Sequence, residues 1–268
     1  MPDLDKQEYF GGMSRIQLEL MASYVEPFIN AITLIERNDK NTPPGRHYGT
    51  GSFFSLKGRH YVLTCEHVAK GRRLGRLALT KFGASNAQKL VGDFGAAPLK
   101  IDAAALALHP DSWTSPPHQA KAAPLKLFDT SHHPVDEEVL YIYGFSGSDA
   151  IVSFGSHLKR GVGLFTHECE FNEAIKEEES EADPQYHFCV DFNPEKSVLI
   201  DGDQSPLSAP DGMSGSLVWN TRFVEVTQQG GDWQPEDARI TGMVWGHSSK
   251  VCALIATRIE HIRYALSL

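Results

Sequence analysis

Three residues in settings suited to nucleophilic chemistry stand far apart in this chain. Ser214 lies in APDGMSGSLVWN, residues 209–220, between Gly212 and Gly215 and ahead of an apolar run at Leu217, Val218 and Trp219. Glycine frees the backbone for positive φ and for close approach, so such a loop can aim N–H groups outward and hold one hydroxyl in place. A serine hydroxyl is a weak nucleophile at neutral pH and needs an adjacent base, which a third group must orient. His67, at the end of the apolar strand pattern in RHYVLTCEHVAKG, is the candidate base. Asp102 opens a run of small apolar residues in PLKIDAAALALHP, a costly place for a carboxylate unless it is hydrogen-bonded. An imidazole N–H would meet that cost.

Rivals exist for each role. Ser146, between Gly144 and Gly147 in YGFSGSDA, is a second candidate nucleophile, and Asp93 in VGDFGA a second orienting carboxylate. Too much strand-like chain follows Ser146 for the favoured arrangement. An α/β-hydrolase elbow would need glycine where Ser216 stands, and its chain order is serine, acid, histidine. The short pairs Cys65/His67 and His167/Cys169 lack the usual zinc spacings and read as strand residues sharing a face, so no metal is expected.

These residues have to be positioned mainly by strands. Short apolar or alternating pieces recur, each bounded by Gly, Pro, Asn, Asp or Ser: GSFFSL, RHYVLTC, AALAL, EEVLYIYGF, YHFCVDF, LVWN, FVEVTQQ, RITGMVWG and VCALIATRI. That rhythm predicts an all-β sandwich or barrel. Ile16, Leu20 and Tyr24 predict a helix over residues 14–25 that Pro27 ends, with a strand following in FINAITLIER. A second helix is expected at the end, from Ile259, Ile262 and Leu266. The acidic segment 170–183 reads as a solvated loop.

The 268 residues have an ordinary globular composition, 41% hydrophobic and 22% charged. A formal charge of −9 argues against a nucleic-acid or anionic-membrane partner. The N-terminus lacks the basic start and apolar run of a secretion signal. With Cys65, Cys169, Cys189 and Cys252 scattered, reduced thiols and a cytoplasmic location are expected.

The segments GTGSFFS…YVLTCEHVAKG, IDAAALAL and PDGMSGSLVWN, in that order, resemble the trypsin/chymotrypsin-like serine peptidases in a bacterial, intracellular style. The likeness extends over APLKL, EEVLYIYGF, ITGMVWG and IATRI, most of residues 47–260. It implies two packed six-stranded antiparallel β-barrels, the first over 47–125 and the second over 135–255. Residues 1–46 would add a helix and strand, and 256–268 a helix. It also implies roles. Ser214 would attack the scissile carbonyl, His67 would act as base and then acid, Asp102 would orient His67, and the N–H groups of Gly212 and Ser214 would form the oxyanion hole. Ser208 would lie at the base of the primary pocket, with Val244, Trp245 and Gly246 as the wall that pairs with substrate backbone. An uncharged Ser208 implies a small or medium uncharged side chain before the cut.

The chain departs from the family pattern at three places. Met213 stands where activated digestive relatives have an aspartate that meets a newly cut N-terminus, the disulfide beside the histidine is missing, and Ser216 and Leu217 replace a common Gly-Pro pair. The implied function is a serine endopeptidase with a protein or peptide substrate and no cofactor. The alternatives are a latent protease-like module switched on by a protein partner and, ranked lower, an esterase using the same triad.

Overall fold

The computed structural model describes residues 9–40, 44–146, 161–200 and 209–268. Two eight-stranded sheets divide the chain in order. The first runs Gln88–Lys89, Gly75–Thr80, Ile29–Glu36, Arg46–Leu56, Arg59–Thr64, Ala103–Ala107, Gly95–Ala97, with Ala123–Pro124 added in parallel to Arg46–Leu56. The second runs Glu168–Cys169, His187–Asp191, Ala253–Arg258, Arg239–Ser248, Leu217–Asn220, Leu140–Gly144, Val162–Thr166, Val198–Ile200, and every pairing in it is antiparallel. The count exceeds the expected six partly because two-residue strands extend the sheet edges. The strand Ile29–Glu36, expected among the N-terminal additions, is an internal member of the first sheet, paired on both sides.

Both expected helices are present. Arg15–Val25 is capped by Ser14, whose hydroxyl accepts from Gln17 N–H while the Gln17 side chain accepts from Ser14 N–H. This capping box meets donors that the helix start leaves open. Leu18, Met21 and Val25 are buried, and the aromatic rings that follow pack on the second sheet: Tyr24 meets Trp219 edge-on and Phe28 stacks on it at 5.8 Å. Ile259–Leu266 closes the described chain with Ile259 and Ile262 inward. No helix among the described residues is long and apolar enough to cross a membrane.

Two sequence expectations fail locally. FVEVTQ, residues 223–228, is a helix where its β-branched residues suggested a strand. The acidic segment contains the short helix Glu173–Glu178, capped by the Asn172 side chain.

Candidate active site

His67 lies in the short helix Glu66–Ala69, which follows the strand Arg59–Thr64 after one residue, Cys65. The strand end was expected to carry it; the helix adds a turn that tips the imidazole outward, with 46% of the side chain exposed. Asp102 immediately precedes the strand Ala103–Ala107, next to Arg59–Thr64 in the sheet. Its backbone is left-handed, φ +47°, a region that aspartate tolerates better than most residues. The side chain is 1% exposed and bonds His67 through both oxygens. Oδ1 accepts from His67 N–H at 2.9 Å, and Oδ2 lies 2.6 Å from His67 Nδ1. One buried carboxylate thus fixes both the backbone and the ring of the histidine. Nδ1 is the nitrogen committed to Asp102, so Nε2 is the one left for chemistry. Asp93 is fully exposed and 4.0 Å from Arg72, so it has no part in this pair.

The Ser214 loop belongs to the second sheet and packs into the first. Thr50 N–H donates to Ser214 O at 2.8 Å, and Gly215 N–H to Val244 O at 2.8 Å. Gly215 has φ +95°, and a Cβ there would run into Thr50 O and stand 2.6 Å from Thr64 Oγ1. Gly212 has φ +93°, and a Cβ would strike the His47 ring. Both flanking glycines are therefore required by backbone angle and by close approach. Of the five N–H groups from 212 to 216, those of Met213, Gly215 and Ser216 bond to Pro210 O, Val244 O and Met213 O. Gly212 and Ser214 keep N–H groups without a backbone acceptor among the described residues. Met213 is 1% exposed and packs in an apolar cluster with Leu140, Val218 and Leu254, so a thioether fills this position.

Two residues that sequence reasoning passed over hold the loop. His47 Nε2 lies 3.1 Å from Gly212 O, and the Thr50 hydroxyl donates to the same carbonyl at 2.9 Å. Thr50 Oγ1 in turn accepts from Phe145 N–H at 3.1 Å. Burial holds the His47 imidazole below the usual histidine range, so neutral pH favours the uncharged ring. Nothing local in RHYGTG signals these contacts, because the partner is about 160 residues away.

Ser214 Oγ donates to Trp245 O at 3.3 Å, and no hydrogen bond joins it to His67 among the described residues. Val244, Trp245 and Gly246 lie in the strand Arg239–Ser248, at an irregularity in its pairing with Ala253–Arg258. Val244 bonds the serine loop in both directions, with its N–H donating to Ser216 O. The Trp245 ring packs 5.0 Å from His187, whose Nε2 lies 2.7 Å from Lys100 O near Asp102. Ser208 lies outside the described residues. Ser146 is buried at the end of Leu140–Gly144. Cys65, His67 and Asp102 are the one group of potential metal ligands close enough to share an ion among the described residues, and two of the three are bonded to each other.

No family model matches the chain, and no curated protein matches it. Solved structures do. The Rv3671c protease of M. tuberculosis in its active form is 13% identical, with a TM-score of 0.51 over 94% of this chain and 85% of that one. The fold is that of the trypsin-like serine proteases. The serine endoprotease of Yersinia pestis aligns with a TM-score of 0.55 at 10% identity, over 93% of this chain and 65% of its own. A scabies mite inactivated protease paralogue aligns with a TM-score of 0.53 at 12% identity, over 90% of this chain and 93% of that one. An inactivated paralogue shares the architecture, so the fold alone does not decide activity.

Proposed function

We propose that this protein is a serine endopeptidase acting through an acyl-enzyme, with Ser214 as nucleophile, His67 as base and acid, and Asp102 as the orienting carboxylate. The observation that carries the reading is the pair of hydrogen bonds between His67 and the buried Asp102 carboxylate, beside a glycine-framed serine loop. In the reaction, Ser214 Oγ attacks the scissile carbonyl as His67 Nε2 takes its proton. The N–H groups of Gly212 and Ser214 receive the developing oxyanion, a kind of stabilisation that is often the largest catalytic contribution. His67 then protonates the leaving amine, and water repeats the sequence on the acyl-enzyme. In this reading Val244–Gly246 forms the wall for the substrate backbone. The reading places the protein in the cytoplasm.

A second reading is favoured by the Ser214 hydroxyl bonding to Trp245 O. In it the chain rests as a latent protease-like module, and a protein partner draws the hydroxyl toward His67. A gap of a few kcal/mol between two loop states keeps such a module mostly off.

Fluorophosphonate labelling of the purified chain separates the two. Labelling that is lost in both Ser214→Ala and His67→Ala supports the peptidase. A folded wild-type chain that does not label overturns autonomous activity and favours the latent module.

A further inference from the structure

A cavity of about 250 Å³ lies where the two sheets meet, and none of the proposed catalytic residues lines it. Ile29 opens the first-sheet strand Ile29–Glu36, Lys81 and Phe82 follow the strand Gly75–Thr80, and Tyr143 and Phe145 come from the end of Leu140–Gly144 in the second sheet. Glu26 lines it from the turn after the N-terminal helix. The walls are mainly apolar and aromatic, and Glu26 and Lys81 are the two charged residues in them. These two differ in what they leave open. The Lys81 ammonium has three N–H donors, and they meet Ser112 O at 2.6 Å, Trp113 O at 2.9 Å and Ser115 O at 3.0 Å. Glu26 Oε1 accepts from the Tyr143 hydroxyl at 3.0 Å, and the carboxylate has no ion pair and no other hydrogen bond among the described residues. The cavity therefore offers open carboxylate acceptors and no open ammonium donor. An apolar cleft with one such polar group is the usual form of a small-molecule site.

The cavity also adjoins the serine loop. The Phe145 ring stands 6.1 Å from the Tyr143 ring and 6.2 Å from the His47 ring. Phe145 N–H donates to Thr50 Oγ1 at 3.1 Å, and that hydroxyl donates to Gly212 O at 2.9 Å.

We propose that this cavity is an effector site for a small organic cation, an apolar or aromatic body whose ammonium group pairs with Glu26, and that its occupancy reaches Ser214 through Phe145, Thr50 and the Gly212 carbonyl. The binding site stands on its geometry, while its effect on Ser214 rests on the peptidase reading. Anions are disfavoured, because Glu26 repels them and the Lys81 donors are already taken. A body packed on the Phe145 ring restrains the residue whose N–H orders Thr50. It thereby favours the loop state in which Gly212 O is held, since a ligand shifts a population toward the state it binds better. Labelling of Ser214 then becomes faster.

The probe is 2-phenylethylammonium, with 2-phenylethanol as its uncharged counterpart, added to the full chain. Saturable NMR shifts at the Ile29, Ala84 and Gly161 amides, which line the cavity, report binding, and a raised thermal midpoint accompanies them. A nine-atom ligand at the weak end of ligand efficiency has a Kd of about 10 mM, so no saturable shift by about 30 mM overturns the site. Glu26→Gln keeps an acceptor for Tyr143 and removes the charge. It should weaken the ammonium by about three- to ten-fold and leave the alcohol nearly unchanged. Ala84→Phe fills the cavity and should weaken both probes, which covers a Gln variant that fails to fold. Equal ammonium affinity in wild type and Glu26→Gln overturns the charge pairing. Saturating probe should speed fluorophosphonate labelling of wild type about five-fold, the low end of ordinary coupling between sites. Thr50→Val should bind the probe and lose that acceleration. Binding that leaves the labelling rate unchanged overturns the link to the serine loop. A wild type that labels neither with nor without the probe overturns the peptidase reading, and the binding measurements then decide the site by themselves.

Discussion

At the scale of residues, the site separates groups that announce themselves from groups that do not. Ser214, His67 and Asp102 are legible because each has a local signature: glycines around a hydroxyl, a histidine closing an apolar strand, a carboxylate opening an apolar one. His47 and Thr50 have none. They act through the carbonyl of Gly212, which comes near only after the two sheets have met. Asp102→Asn should keep the fold and lower turnover by about 10⁴-fold, the magnitude known for a triad whose histidine is held in the wrong tautomer. The labelling rate against denaturation midpoint measures this, and a near-normal rate would remove Asp102 from the mechanism. Gly215→Ala puts a Cβ against Thr50 O at φ +95°. The strained backbone should cost about 1–3 kcal/mol, and the displaced serine should stop labelling. A variant that is normal in both respects would show that the loop has room to spare.

At the scale of elements, the errors of sequence reading are informative. Val224 and Val226 favour a strand by intrinsic preference, yet residues 223–228 are helical. The reason is a distant carboxylate. Buried Glu138 accepts from Val224 N–H at 3.1 Å, Glu225 N–H at 3.3 Å and the Thr221 hydroxyl at 3.0 Å. That meets the donors a helix start leaves open and places negative charge at its positive end. Local propensity loses to a cap more than 80 residues away in the chain. Glu138→Ala should therefore leave buried donors unsatisfied and cost about 1–3 kcal/mol. Hydrogen exchange should show the Val224 and Glu225 amides losing protection first, and protection that persists would mean another group caps the helix. The strands, by contrast, were legible wherever burial on both faces produced continuous apolar runs, as in Leu140–Gly144 and Leu217–Asn220, where every residue is buried.

At the scale of the whole molecule, two buried histidines join the sheets and make stability depend on pH. His47, from the first sheet, reaches the serine loop of the second. His187, from the second, reaches back to Lys100 O in the segment before Asp102. Burial lowers the proton affinity of both below the ordinary histidine value. A group whose folded pKa is depressed binds its proton more readily when the chain is unfolded. Stability is therefore complete above the unfolded value of about 6.5 and falls as the pH drops from there toward the lower folded values. Each histidine can contribute a slope of at most about 1.4 kcal/mol per pH unit in that window. The Glu178 carboxylate belongs to a different window. Hydroxyl and N–H donors from Ser248, Ser249 and Lys250 hold it down to about 2, so its contribution is present above the ordinary carboxylate range and lost only in strong acid. Denaturant midpoints should be nearly level for wild type from pH 7.5 to about 6.5 and fall from there toward pH 5.5. The His47→Asn and His187→Asn variants should start less stable and show flatter profiles, each losing its own share of the slope. A wild-type midpoint that is constant across the window would mean that neither ring stays neutral at the junction, and a slope retained in both variants would assign it to other groups.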